Sequence, residues 1–291
     1  MFDRMRSCLT AGIVLLSAVF LCPGAGLAVK AAASDPADTL VIAAGAEAGK
    51  PVGKSSFKVG STGKSEYEVA KTSAGKYYLF GSVKDASGVS YKAYCPGDYG
   101  TGWIIGKGGK YYRFAKPFCP HIKGFPVGMG AFDVDHDGSS EFVIASPIEE
   151  GTGSFVDSLH VFKFVNGACT DYTLPVEDIP AWRWDDGPEP AIVTMLKAKT
   201  SVKMANDGTC TFKVGSRTYS EKLTYYESLT PTLGQVVEIG TDGKTVQMVV
   251  AVGLEGTAMV HYCCQLVSNV GFANGSFVIN FVSLQGYPEE N

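Results

Sequence analysis

The stretch Phe132-Asp133-Val134-Asp135-His136-Asp137-Gly138-Ser139-Ser140-Glu141-Phe142-Val143-Ile144 sets three aspartates at alternate positions. A glycine follows them, a fourth carboxylate comes four residues after the third aspartate, and an apolar run begins at once. Calcium takes oxygen ligands, and carboxylates at loop positions 1, 3 and 5 let a curled chain point all three at one centre. Gly138 at position 6 permits the sharp turn that a Cβ would hinder. Ser139 at position 7 offers its backbone carbonyl, and Glu141 at position 9 offers a carboxylate, directly or through water. An EF-hand is excluded, because it needs a bidentate glutamate at position 12, where Ile144 stands. The segment after Gly138 also reads as a strand rather than a helix. Carboxylates crowded in this way repel one another without a cation, so Asp133, Asp135, Asp137, Ser139 and Glu141 are the expected calcium ligands. Magnesium, with its near-octahedral demands and retained waters, suits the loop less well. The competing reading is a solvated acidic turn, since Asp and Gly are ordinary turn residues.

Around this loop the chain reads as all-β. Short runs rich in Val, Ile, Phe, Tyr and Thr alternate with clusters of Gly, Asn, Asp and Ser, as in Lys76–Val83, Leu159–Val165, Val246–Gly253 and Phe277–Leu284. Asn166-Gly167 and Asn274-Gly275 each divide two such runs, a strong hairpin signal. An acidic turn followed by an apolar strand recurs at Asp186-Gly187 and Asp242-Gly243, and in weaker form at Asp85. The spacing of roughly 50 residues suits blades of about four strands, each burying its faces on its neighbours. The expected fold is all-β, a β-propeller-like array of antiparallel blades, small or incomplete, with a different all-β arrangement as the alternative.

The N-terminus points to export. Arg4 and Arg6 precede an apolar run from Leu9 to Leu21, followed by Pro23, Gly24 and small residues. Residues 1–33 read as a secretory signal peptide with cleavage near Ala28 or Ala33. Residues 34–53, rich in Ala, Gly and Pro, read as a linker or lead-in strand, and residues 54–291 as one propeller-like domain. Nothing after residue 33 is a transmembrane helix candidate. The full-chain charge is −4, and residues 1–33 carry +2, which leaves −6 on the remainder. A mildly acidic chain with no basic stripe argues against nucleic acid as the main partner.

Six cysteines follow residue 33: Cys95, Cys119, Cys169, Cys210, Cys263 and Cys264. An even number in an exported chain suggests disulfides, with many pairings open. Cys95 with Cys119 is the favoured local bridge. Cys263 and Cys264 lie in a strand-like run, where neighbours face opposite sides, so separate partners suit them better than each other.

Signals of catalysis are scarce. Gly151-Thr152-Gly153-Ser154-Phe155 lacks the final glycine of a nucleophile elbow, the full G-x-x-x-x-G-K-S/T phosphate-loop pattern is not met, and Gly106-Lys107-Gly108-Gly109-Lys110 reads as a hairpin tip. His160 and His261 sit in strand-like runs and read as structural residues, and His136 should point away from the aspartates it separates. Trp182-Arg183-Trp184-Asp185 is the richest non-metal segment. It can form a stacking surface for a sugar or peptide, or fill the space between sheets.

The run Phe125-Pro126-Val127-Gly128-Met129-Gly130-Ala131-Phe132, continuing through the acidic loop to Ala145, resembles an FG-GAP/VCBS-type repeat. Leu159 to Gly167 is similar to the hairpin of that repeat. The resemblance covers residues 125–167 and implies blades of a calcium-binding β-propeller of the integrin-α kind. It carries ligand roles to Asp133, Asp135, Asp137 and Glu141 and to the Ser139 carbonyl, with Glu141 where the family usually has Asp. The expected function is a secreted or periplasmic, calcium-stabilised binding or adhesion module for an extracellular protein or carbohydrate. A secreted enzyme acting on polysaccharide or another extracellular substrate, and a structural envelope protein, are the alternatives.

Overall fold

A computed structural model describes residues 35–53, 58–61, 68–72, 75–96, 102–115, 128–151, 154–174, 196, 198–223, 231–239, 246–255 and 260–287. The described chain is nearly all β, in several antiparallel sheets with one curled into a half-barrel, a propeller-like arrangement. The segment read as signal peptide lies outside the described residues, as do Asp186, Asp242, Cys119 and Trp182 to Asp185. Among the described residues no helix is long and apolar enough to cross a membrane.

Three short strands open the fold: β1 (Thr39–Ala43), β2 (Gly45–Ala48) and β3 (Lys50–Val52). A first sheet holds β4 (Lys58–Ser61), β5 (Glu68–Thr72), β6 (Gly75–Lys84), β7 (Ser90–Pro96), β8 (Trp103–Lys107) and β9 (Lys110–Phe114). A second meander holds β10 (Gly128–Phe132), β11 (Glu141–Gly151), β12 (Ser154–Val165) and β13 (Ala168–Thr173). A separate three-stranded sheet holds β14 (Thr200–Met204), β15 (Thr209–Val214) and β16 (Arg217–Lys222). The last meander holds β17 (Pro231–Ile239), β18 (Val246–Glu255), β19 (Val260–Ala273) and β20 (Ser276–Gly286).

The segment read as linker or lead-in strand supplies an outer strand to each of three meanders. β1 pairs with β20, β2 with β13 and β3 with β9, all antiparallel. Pro51 is compatible with β3 because an outermost strand has one edge that makes no ladder bonds. Asp38, 6% exposed, secures the start of this segment by accepting from Ser216 N and Ser216 Oγ (2.8 and 2.6 Å), with Arg217 Nε at 3.3 Å.

β12 joins the second and last meanders. Its C-terminal half pairs with β13, while near its start Val156 bridges in parallel to Gln235 of β17. Both Asn-Gly hairpins form as read: Asn166 and Gly167 have φ 50° and 77°, and Asn274 and Gly275 have φ 52° and 74°. Two consecutive positive φ values match the twist of the flanking strands.

The second meander is buried on both faces, which explains why Phe142-Val143-Ile144-Ala145 is unbrokenly apolar. Phe142 and Ile144 face the first sheet and pack with Tyr91, Trp103, Phe114 and Phe162. Val143 and Ala145 face the other way, into a core shared with β18, β19, β20 and the three-stranded sheet. Alternate side chains of one strand thus serve two cores. Phe162 touches Trp103 edge-on (4.8 Å between ring centres) and Phe114 (5.4 Å). Truncating such a fully buried ring to Ala costs about 3–5 kcal/mol.

Candidate metal centre

β10 and β11 form a hairpin in which Phe132 pairs with Glu141, so residues 133–140 make the turn between them. The aspartates organise their own backbone. Asp133 accepts from Asp137 N (3.0 Å) and Gly138 N (2.9 Å), Asp135 Oδ1 from Asp137 N (3.3 Å), and Asp137 Oδ1 from Ser139 N (2.8 Å). Gly138 has φ 90°, a value that strains any residue with a Cβ, and this is the need for glycine read from the sequence. His136 is exposed at φ 61°.

Glu141 begins β11 with 1% exposure, and its Oε2 accepts from Val134 N at 3.0 Å. Carboxylate oxygens of Asp133, Asp135 and Glu141 lie within 4.8 Å of one another, a cluster that can hold a metal ion. Burial pushes Glu141 up to about 7, against the Val134 hydrogen bond, and Asp135 and Asp137 push it the same way as burial. The donor set fits a hard divalent cation: every donor is a carboxylate oxygen, one is desolvated, and the group is short of positive charge.

Asp137 is the departure from the expected set, since it stands outside the three-carboxylate cluster. Its Oδ2 accepts from Lys163 Nζ at 2.6 Å, and Lys163 also donates to Asp135 Oδ2. The Lys163 hydrogen bond holds Asp137 below the usual carboxylate range. Burial alone would lower Lys163, but Asp135 and Asp137 hold its ammonium well above the ordinary lysine value. Lys163 was not singled out from the sequence. The available signal was a lone cation in the apolar run Leu159–Val165. Phe142 pairs with Phe162, so Lys163 falls opposite Glu141 one step beyond the last pair.

The loop also joins the second meander to the first sheet. The carbonyl of Ser140 accepts from Tyr91 Oη (3.2 Å) and from Lys107 Nζ (3.3 Å). Tyr91 Oη is likewise 3.1 Å from Asp85 Oδ2, and the Lys107 ammonium lies over the rings of Tyr91 and Phe164. Asp85, the weaker echo of the acidic turn, accepts from Ser87 N, Ser87 Oγ, Val89 N and Tyr91 Oη. Its oxygens are occupied by the protein's own donors.

His160, in β12, is buried. Its Nδ1 lies 3.0 Å from both carboxylate oxygens of Asp171, and its ring stacks on Phe162 and meets Trp103 edge-on. Asp171, 1% exposed, was not legible as its partner because the pair forms across the β12–β13 hairpin. No disulfide joins any two of the described cysteines. Cys119, the expected partner of Cys95, lies outside the described residues. Comparison with protein-family models, curated proteins and solved structures finds no match to this chain.

Proposed function

We propose that the β10–β11 turn is the calcium loop of an FG-GAP/VCBS-type blade, in a secreted or periplasmic binding or adhesion module. Asp133, Asp135 and Glu141 hold the ion, with the Ser139 carbonyl. Asp137 joins them once Lys163 withdraws. The reading is carried by one observation: three carboxylates within 4.8 Å of one another, one of them buried, at a turn that touches the neighbouring sheet. Calcium neutralises that cluster and stiffens the turn, and the loops beside it present the surface that meets an extracellular protein or carbohydrate. The signal-peptide pattern of residues 1–33 supports the compartment, where free calcium is available to a site of modest affinity.

The test is solid-phase binding of the purified protein to a panel of extracellular polysaccharides and matrix proteins, with calcium and with chelator. Retention on at least one surface that chelator abolishes supports the module. Release of new reducing ends from a polysaccharide on the panel would replace it with the enzyme reading.

A further inference from the structure

The three-stranded sheet turns one face to the larger core and the other to solvent. Cys210, Phe212 and Val214 of β15 are buried in that core. Strand alternation sends the residues between them outward, and their cross-strand partners with them. In one outward row Lys213 pairs with Ser201 of β14 and Thr218 of β16. In the next, Thr211 pairs with Lys203 and Ser220, and Thr209 with Lys222 ends the face. Every side chain on this face is thus Lys, Ser or Thr. Each row holds one lysine and each strand supplies one, and all three lysines are exposed.

No carboxylate stands on this face. Glu221 pairs with the buried Cys210 and so belongs to the inner side of the sheet. Asp207 lies in the turn before β15, where its Oδ1 accepts from Thr209 N at 3.0 Å. Among the described residues none of the three lysines is in an ion pair. A chain of net charge −4 therefore carries one patch of three uncompensated ammonium groups set among hydroxyls. The lysines are far apart in sequence and are gathered only by register, so no basic run announces them. Lys203 and Lys213 are diagonal neighbours, roughly 7–8 Å apart at their backbones. Ammonium groups only donate hydrogen bonds, whereas hydroxyls donate and accept. Thr211 Oγ1 and Ser220 Oγ, 2.9 Å apart, form such a pair between the lysines.

We propose that this face binds an acidic polysaccharide, a sugar polymer bearing carboxylate or sulfate groups. Three cations with no acid among them select an anionic partner by charge complementarity. The Ser and Thr hydroxyls match the hydroxyls of the sugar rings, donor to acceptor. A face that binds membranes carries Trp, Phe or Leu to enter the lipid boundary, and this one has none. A platform for single-stranded nucleic acid stacks bases on aromatic rings, which are equally missing from the face. What carries over from the module reading is only that the chain meets extracellular ligands; the face names their class.

The experiment is retention of the full chain on beads carrying dextran sulfate, polygalacturonate or neutral dextran, in chelator throughout. The parent should be held by the sulfated or the carboxylated polymer and pass through neutral dextran. It should elute by about 0.5 M salt, where exposed charges are screened. The triple variant Lys203→Thr, Lys213→Thr, Lys222→Thr should bind about tenfold more weakly with an unchanged Tm, since each exposed charge contact contributes modestly. Ser220→Glu, which keeps all three lysines, should weaken retention in the same direction. The proposal is overturned by no retention on either acidic polymer, or by a triple variant held as strongly as the parent. Tighter binding to phosphatidylserine vesicles or to single-stranded DNA than to the polymers overturns it as well. Chelator separates this face from the calcium turn. Lysine-dependent retention here, with no calcium-dependent retention on any surface, would sink the calcium module and leave the face standing; calcium-dependent retention that ignores the lysines would do the reverse.

Discussion

Lys163 Nζ stands 2.6 Å from Asp137 Oδ2, so the acidic loop carries its own cation, supplied by the strand that follows. Lys163 neutralises part of a cluster whose charge would otherwise be uncompensated, and it occupies the oxygens that a metal would use. A metal ion and the lysine therefore compete. Lys163→Met should tighten calcium binding by about fivefold, the equivalent of roughly 1 kcal/mol for a partly exposed ion pair. The same variant should melt earlier than the parent in chelator. Calorimetric titration with calcium measures the first effect, and an unchanged or weaker affinity would remove Lys163 from the account.

Glu141 gives the pH dependence a definite sign. Its carboxyl is raised to about 7 from 4.5, chiefly by burial, so between those values the folded chain binds a proton that the unfolded chain has released. Metal-free stability should therefore fall as pH rises through that window and level off above it, by about 3 kcal/mol at most. Calcium removes the fall by balancing the ionised carboxylate, and Glu141→Gln removes it without metal. Urea midpoints from pH 4.5 to 8, with calcium and with chelator, test this; a metal-free midpoint that climbs over the range has the wrong sign.

Tyr91 tests the contact between loop and first sheet. Tyr91→Phe keeps the buried ring but deletes the bonds to Ser140 O and Asp85 Oδ2. The loss should be about 1–3 kcal/mol, because a half-buried carboxylate forfeits a donor. Calcium affinity should weaken in parallel, since Ser140 adjoins the ligands. Equilibrium unfolding reads the first effect, and a variant as stable as its parent would show that the contact contributes nothing.

The parts of this architecture that were legible rest on local rules. Asn166-Gly167 and Asn274-Gly275 announce hairpins because few residue pairs tolerate two positive φ values. Asp133, Asp135, Gly138 and Glu141 announce an acidic turn because spacing and glycine are written in the chain. The parts that stayed hidden depend on pairing across long distances. β1, β2 and β3 have little apolar alternation of their own, and they exist because β20, β13 and β9 offer them open edges. The contact between Lys163 and Asp137 is of this kind, since it spans 26 residues. The bulge at Cys263 is set by the register of β18 against β19, which composition does not encode.

The central claim is that Asp133, Asp135 and Glu141 form a calcium site that stabilises the fold. Thermal melts of the parent and of Asp135→Ala, each in chelator and in about 5 mM calcium, test it most directly. For a site of roughly 0.1–1 mM affinity, calcium should add about 1–2 kcal/mol, or about 2–8 °C in the parent. Asp135→Ala should show no calcium-dependent rise. A parent indifferent to calcium, or a variant that gains as much as the parent, would contradict the account.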